Sequence, residues 1–68
     1  MPVQVMINGE PRQFQGGLSL TAMLRQLGME PLRVAVERNR ALVRRRDFDG
    51  TMLVDGDRLE IVTLVGGG

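Results

Sequence analysis

The residues of this chain best suited to chemistry are Val65-Gly66-Gly67-Gly68. Three successive glycines carry no side chains and occupy left-handed and extended conformations about equally, so they build no regular element and pack against nothing. Such a segment is a thin peptide ending in a carboxylate. It can enter a channel too narrow for any side chain, and at about 3.3 Å per residue it reaches roughly 10 Å beyond a folded body. The Gly68 carboxylate is therefore the candidate reactive group. The remaining composition offers no competitor. The 68 residues include no histidine, cysteine, lysine or tyrosine, and Ser19 is the single serine. The usual general bases and amine or thiol nucleophiles are missing, and a hydrolytic triad is excluded. The chain is expected not to be an enzyme by itself.

The elements that must position this tail follow from periodicity. Arg58 to Val65 is rich in β-branched and aliphatic residues and is expected to be a strand that leads directly into the glycines. Leu59 and Ile61 alternate with Arg58 and Glu60 as a half-buried strand requires. The alternation then fails at Val62, Leu64 and Val65, which leaves either an apolar patch for a partner or a fully covered strand. A mixture is expected, with Val62 and Leu64 on the exposed side beside the tail. Upstream, Asp55-Gly56-Asp57 signals a turn; two nearby aspartates could suggest a metal, but the ligand pattern of a calcium loop is missing.

At the other end of the chain, Val3 to Ile7 meets Asn8-Gly9, a strong signal for a tight hairpin because both central residues of a type I′ turn need positive φ. The second strand should run from about Pro11 to Phe14. A two-residue turn sets Ile7 opposite Glu10, Val5 opposite Arg12 and Val3 opposite Phe14, which puts Phe14 and also Arg12 on the core face. Either Arg12 lies at the sheet edge or a bulge shifts the register. After Gln15-Gly16-Gly17, Ser19 can cap a helix whose Leu20, Met23, Leu24 and Leu27 form one stripe, with Gly28 as its terminator. Met23 and Met29 read as core filling rather than a binding surface. Arg33 to Glu37 alternates with Val34 and Val36 on one face, and Arg38-Asn39-Arg40 turns into Ala41 to Val43, a second hairpin. Phe48, with Leu53 close behind, should anchor the loop that follows. The element order is β-β-α-β-β-β, with the first and last strands pairing as central parallel neighbours under a helix. That is an α+β β-grasp: a mixed four- to five-stranded sheet covered on one face, spanning residues 1–65, with 66–68 as a flexible tail.

A 68-residue chain makes one domain that buries only about 60% of its unfolded surface, leaving no room for a second site-bearing domain. The net charge of +1 argues against a generic polyanion binder. All nine basic residues are arginine, which suits bidentate pairing with an acidic protein surface as well as it suits a compositional bias. Arg44-Arg45-Arg46 extends a basic stretch from Arg38, but no aromatic residue is interleaved for stacking and acidic residues flank the run, so nucleic acid is not expected. With no disulfides, no apolar run of membrane-spanning length and no signal-like segment, the domain is expected to be soluble and cytoplasmic, with no membrane partner.

The Asn8-Gly9 hairpin, the Leu20 to Leu27 helix, Val34-Ala35-Val36-Glu37-Arg38-Asn39, the Gly56-Asp57 turn, Glu60-Ile61-Val62 and the terminal Val65-Gly66-Gly67-Gly68 together resemble the ThiS family of thiamine-biosynthesis sulfur carriers. The likeness spans essentially the whole chain; more distantly, the ending is similar to that of ubiquitin. The resemblance implies a protein that is itself a substrate. An E1-like adenylyltransferase of the ThiF type, using ATP and magnesium, would adenylate the Gly68 carboxylate. Sulfur from a cysteine desulfurase or another donor would displace AMP, and the thiocarboxylate would pass its sulfur to a ThiG-type thiazole synthase. The carrier itself would bind no cofactor and no metal. Gly66 and Gly67 would thread the enzyme's channel, while Val62, Leu64 and Val65 would dock the sheet. Two alternatives stay open: a sulfur carrier subunit of the molybdopterin-synthase type, and a small non-catalytic binding module with an idle glycine end.

Overall fold

Two turns led by asparagine generate the outer strands. The structure, a computed structural model, describes residues 1–65. Strand β1 (Pro2–Ile7) and strand β2 (Glu10–Gln15) are joined by Asn8 and Gly9 at φ 50° and 84°, both positive as a type I′ turn demands. Six successive pairs run from Ile7↔Glu10 to Pro2↔Gln15, so no bulge interrupts the register. Arg12 does stand opposite Val5, yet it is exposed. Strand β2 is an edge strand, and its only buried residue is Phe14. The arginine therefore lies at the sheet edge, in a groove shared with Gln26 and Leu27 at the C-terminal end of the helix.

Helix α1 (Leu20–Gln26) starts where its capping chemistry starts: the Ser19 hydroxyl accepts the Ala22 N–H at 3.1 Å. It stops at Leu27 because Gly28, at φ 76°, takes the left-handed position. There the Gly28 N–H donates to the Arg25 carbonyl at 3.0 Å and the Met29 N–H to the Leu24 carbonyl at 2.8 Å, the paired bonds of a Schellman terminator. Leu20, Met23 and Leu24 are completely buried beneath it, each stabilising the fold by about 1.5–3 kcal/mol relative to an exposed side chain. Leu27 and Met29 are packed against the same core, so the methionines fill it rather than form a binding surface.

The second hairpin repeats the device. Strand β3 (Val34–Arg38) and strand β4 (Ala41–Val43) meet across Asn39 and Arg40, at φ 52° and 73°. Strand β5 (Arg58–Thr63) then enters between the two hairpins, parallel to β1 and antiparallel to β3, giving the order β2-β1-β5-β3-β4. The α+β β-grasp expected from the sequence is the fold observed, with five strands. Val5, Ile7, Val34, Val36, Leu59 and Ile61 from the inner face close the core with the helix, joined by Phe48 and Leu53 from the long loop. That loop is tied to the helix start by backbone bonds from Leu20 to Thr51 and from Leu53 to Leu18. Among the described residues no helix is long and apolar enough to cross a membrane.

Candidate functional site

Strand β5 is the strand that leads toward the glycines, and it lies at the centre of the sheet. Leu59 and Ile61 point into the core, while Glu60, Val62 and Leu64 fall on the face the helix leaves open. Val62 is 59% exposed and Leu64 48%, so the apolar residues that broke the alternation do lie on the uncovered side. Val65 is 92% exposed. The strand is shorter than its apolar run suggests. It ends at Thr63, opposite Val34, because its partner β3 is preceded by a 3₁₀ turn at Pro31–Arg33 that offers no further ladder. One more bond follows, from the Leu64 N–H to the Arg33 carbonyl at 2.8 Å. Gly66, Gly67 and the candidate reactive residue Gly68 lie outside the described residues.

What holds this strand in place came only partly from the sequence. The side-chain amide of Asn8 acts as a substitute strand: its oxygen accepts the Ile61 N–H at 2.8 Å, its nitrogen donates to the Ile61 carbonyl at 3.0 Å, and the Asn8 backbone N–H donates to the Leu59 carbonyl at 2.9 Å. From the opposite side Asn39 does the same for the strand's beginning, accepting the Arg58 N–H at 2.9 Å and donating its own N–H to the Arg58 carbonyl at 2.7 Å. Both asparagines that make the hairpin turns thus also clamp β5. Positive φ places each side chain alongside the strand, a role that glycine at the same position could not fill.

Asp57 was read from the sequence as a turn residue, and it is more than that. The turn exists, with Gly56 at φ 90° and the Asp57 N–H donating to the Val54 carbonyl at 3.0 Å. The Asp57 side chain, however, is buried at 4% exposure. Its carboxylate accepts the Val54 N–H at 2.8 Å, Arg38 Nε at 3.1 Å and the Asn39 amide nitrogen at 3.2 Å. A buried carboxylate with three N–H donors is a structural hub rather than a metal ligand, and no side chain capable of ligating a metal forms a group of three among the described residues. One signal could have found it: position 57 is in phase with the inward residues Leu59 and Ile61. The arginine run divides likewise. All three are exposed, but Arg45 donates to the carbonyls of Pro31 and Val34, fastening the start of β3, whereas among the described residues Arg44 and Arg46 make no side-chain hydrogen bond.

The described part of the site therefore contains no catalytic constellation. It is a strand fixed at its root by two asparagine clamps and an aspartate hub, opening at its far end onto exposed aliphatic residues. A model of the ThiS family matches residues 5–68. The fold is similar to the crystal structure of a thiamine biosynthesis protein, ThiS, from Geobacter metallireducens, with a TM-score of 0.80 and 33% identity over 97% of this chain and 100% of that one. Among curated proteins, the chain is 41% identical over 66 residues to a thiazole synthase of Paramagnetospirillum magneticum, 97% of this chain being matched. It spans only 20% of the length of that relative. It is also 41% identical to an uncharacterized protein, ycf40, of Porphyra purpurea, of which it spans 93%.

Proposed function

The chain belongs to the ThiS family, and from that premise we propose that it is a sulfur carrier for thiazole formation in thiamine biosynthesis, acted on by enzymes rather than acting as one. The family match carries the proposal. Its support from the fold is the run of exposed Val62, Leu64 and Val65 leading from a clamped central strand toward the three glycines. Its support in naming a partner is the likeness to one fifth of a protein called thiazole synthase.

The chemistry starts from the inertness of the Gly68 carboxylate. A terminal carboxyl, with an ordinary pKa of about 3.5, is an anion at neutral pH and a poor acyl donor, so it needs a leaving group. Attack of the carboxylate oxygen on the α-phosphorus of ATP, in a ThiF-type adenylyltransferase with magnesium, forms the acyl adenylate and releases pyrophosphate. Sulfide from a donor can then add to the carbonyl carbon directly; the outer sulfur of a cysteine desulfurase persulfide instead forms an acyl disulfide, which a thiol reductant cleaves with two electrons. On either route the bond to AMP breaks, and a thiocarboxylate remains. In this reading Gly66 and Gly67 occupy the enzyme's channel, where any Cβ would meet its wall, and Val62, Leu64 and Val65 dock on the enzyme surface. The loaded chain finally gives its sulfur to thiazole synthase.

Intact mass after incubation with ATP, magnesium, the adenylyltransferase and a sulfur donor tests this directly. The expected product has one oxygen replaced by sulfur, located at Gly68 by fragmentation. Deleting Gly67 and Gly68 should abolish that change while leaving the melting temperature within about 2 °C of the parent, because glycine has no side chain to bury. A truncated chain that still gains sulfur would refute the proposal.

A further inference from the structure

The open face carries a second feature besides its aliphatic residues. Glu60 on β5 stands directly opposite Glu37 on β3, and both are exposed. Directly opposed residues on neighbouring strands bring their Cβ atoms to about 4.5–5.5 Å, where like charges destabilise the pair. Among the described residues neither glutamate forms a salt bridge. The one salt bridge among the described residues, Arg38 to Asp57, lies on the other side of the sheet, where Arg38 stands opposite the inward Leu59. Arg58, two residues before Glu60 on the same face, makes no ion pair with it. The pair is bordered by aliphatic side chains: Leu42 stands opposite Glu37 from β4, and the next outward row on this face is Val62 opposite Ala35. Two carboxylates facing each other, with aliphatic side chains beside and after them and Arg58 before, oppose rather than aid the pairing of β3 with β5.

Resting on the proposed carrier function, we propose that the surface of the adenylating enzyme that covers this face presents an arginine or lysine side chain between Glu37 and Glu60. In the free protein, water and salt screen the two charges. Docking of Val62 and Leu42 on an apolar surface removes that water, and the repulsion grows unless a cation arrives with the partner. A guanidinium forked between two carboxylates turns the unfavourable pair into charge-assisted hydrogen bonds. The same pair rejects a surface that is apolar only, or anionic, so it selects partners as well as binding them.

The test compares the full chain with Glu37→Gln/Glu60→Gln, measuring melting temperature, affinity for the adenylyltransferase with ATP and magnesium, and sulfur gain at Gly68. The variant should melt at the same temperature or higher, since a repulsion has been removed. It should bind about tenfold more weakly, with a flatter dependence of affinity on salt. If the parent gains sulfur and the variant binds within about twofold with the same salt dependence, the glutamates face no cation and the inference falls, while the carrier reading stands. If the parent itself neither binds nor gains sulfur, the carrier reading falls and takes the inference with it.

Discussion

The two ends of strand β5 are built on opposite principles. At its root the polar groups that are buried are satisfied within the chain: Asp57 holds three N–H donors, Asn39 brackets Arg58, and the Met6 N–H reaches the Asp57 carbonyl at 2.9 Å. At its far end a single backbone bond, from Leu64 to Arg33, is followed by an almost fully exposed Val65. The root is closed by hydrogen bonds; the end leaves aliphatic surface in water. Residues near the root should therefore govern stability with little effect on partners, and those near the end should do the reverse.

The largest effect on stability is expected at Asp57. Asp57→Ala leaves the Val54 N–H, the Asn39 amide and Arg38 without their acceptor, at a cost of about 3 kcal/mol, or roughly 12–20 °C in Tm for a domain of this size. Arg38 retains 30% exposure and can rehydrate, which holds the loss at that level. A loss below about 1 kcal/mol in denaturant unfolding would mean that the hub is dispensable. Asn8→Gly comes next. It keeps the positive φ but removes the amide that brackets Ile61, and should cost about 1–2 kcal/mol, with faster hydrogen exchange at the Ile61 N–H than at the Val36 N–H. Equal acceleration at both sites would place the effect in global stability rather than in the clamp. Leu64→Arg sits at the other extreme. The fold should stay within about 0.5 kcal/mol of the parent, while affinity for the adenylyltransferase falls by about tenfold or more. A variant that unfolds instead would show that the exposed end is part of the core after all, and the contrast between the two ends would be lost.

Much of this architecture was legible in the sequence because it is local. The Asn8-Gly9 turn, the Ser19 cap, the Gly28 terminator and the alternation of Val34 with Val36 each depend on the conformation of a few neighbouring residues. The exposed placement of Val62 and Leu64 followed from a break in a two-residue period. The open question at Arg12 could not be answered that way, since the identity of the edge strand depends on what lies beside β2. The functions of Asn8 and Asp57 were hidden for a related reason. Asn8 meets Ile61 across 53 positions and Asp57 meets Arg38 across 19, and no window of sequence contains either pair.

By itself, then, the sequence determined the elements, their faces and the three glycines at the end, because backbone propensity and side-chain periodicity act within a turn or a strand. The tertiary structure decided where β5 stops, which aspartate turns inward, which arginine of three fastens the start of β3, and which two glutamates face each other on the open sheet. Those outcomes depend on strand neighbours that come together only when the chain folds, since a polar group gains its partner, or fails to, from residues brought near in space rather than along the chain.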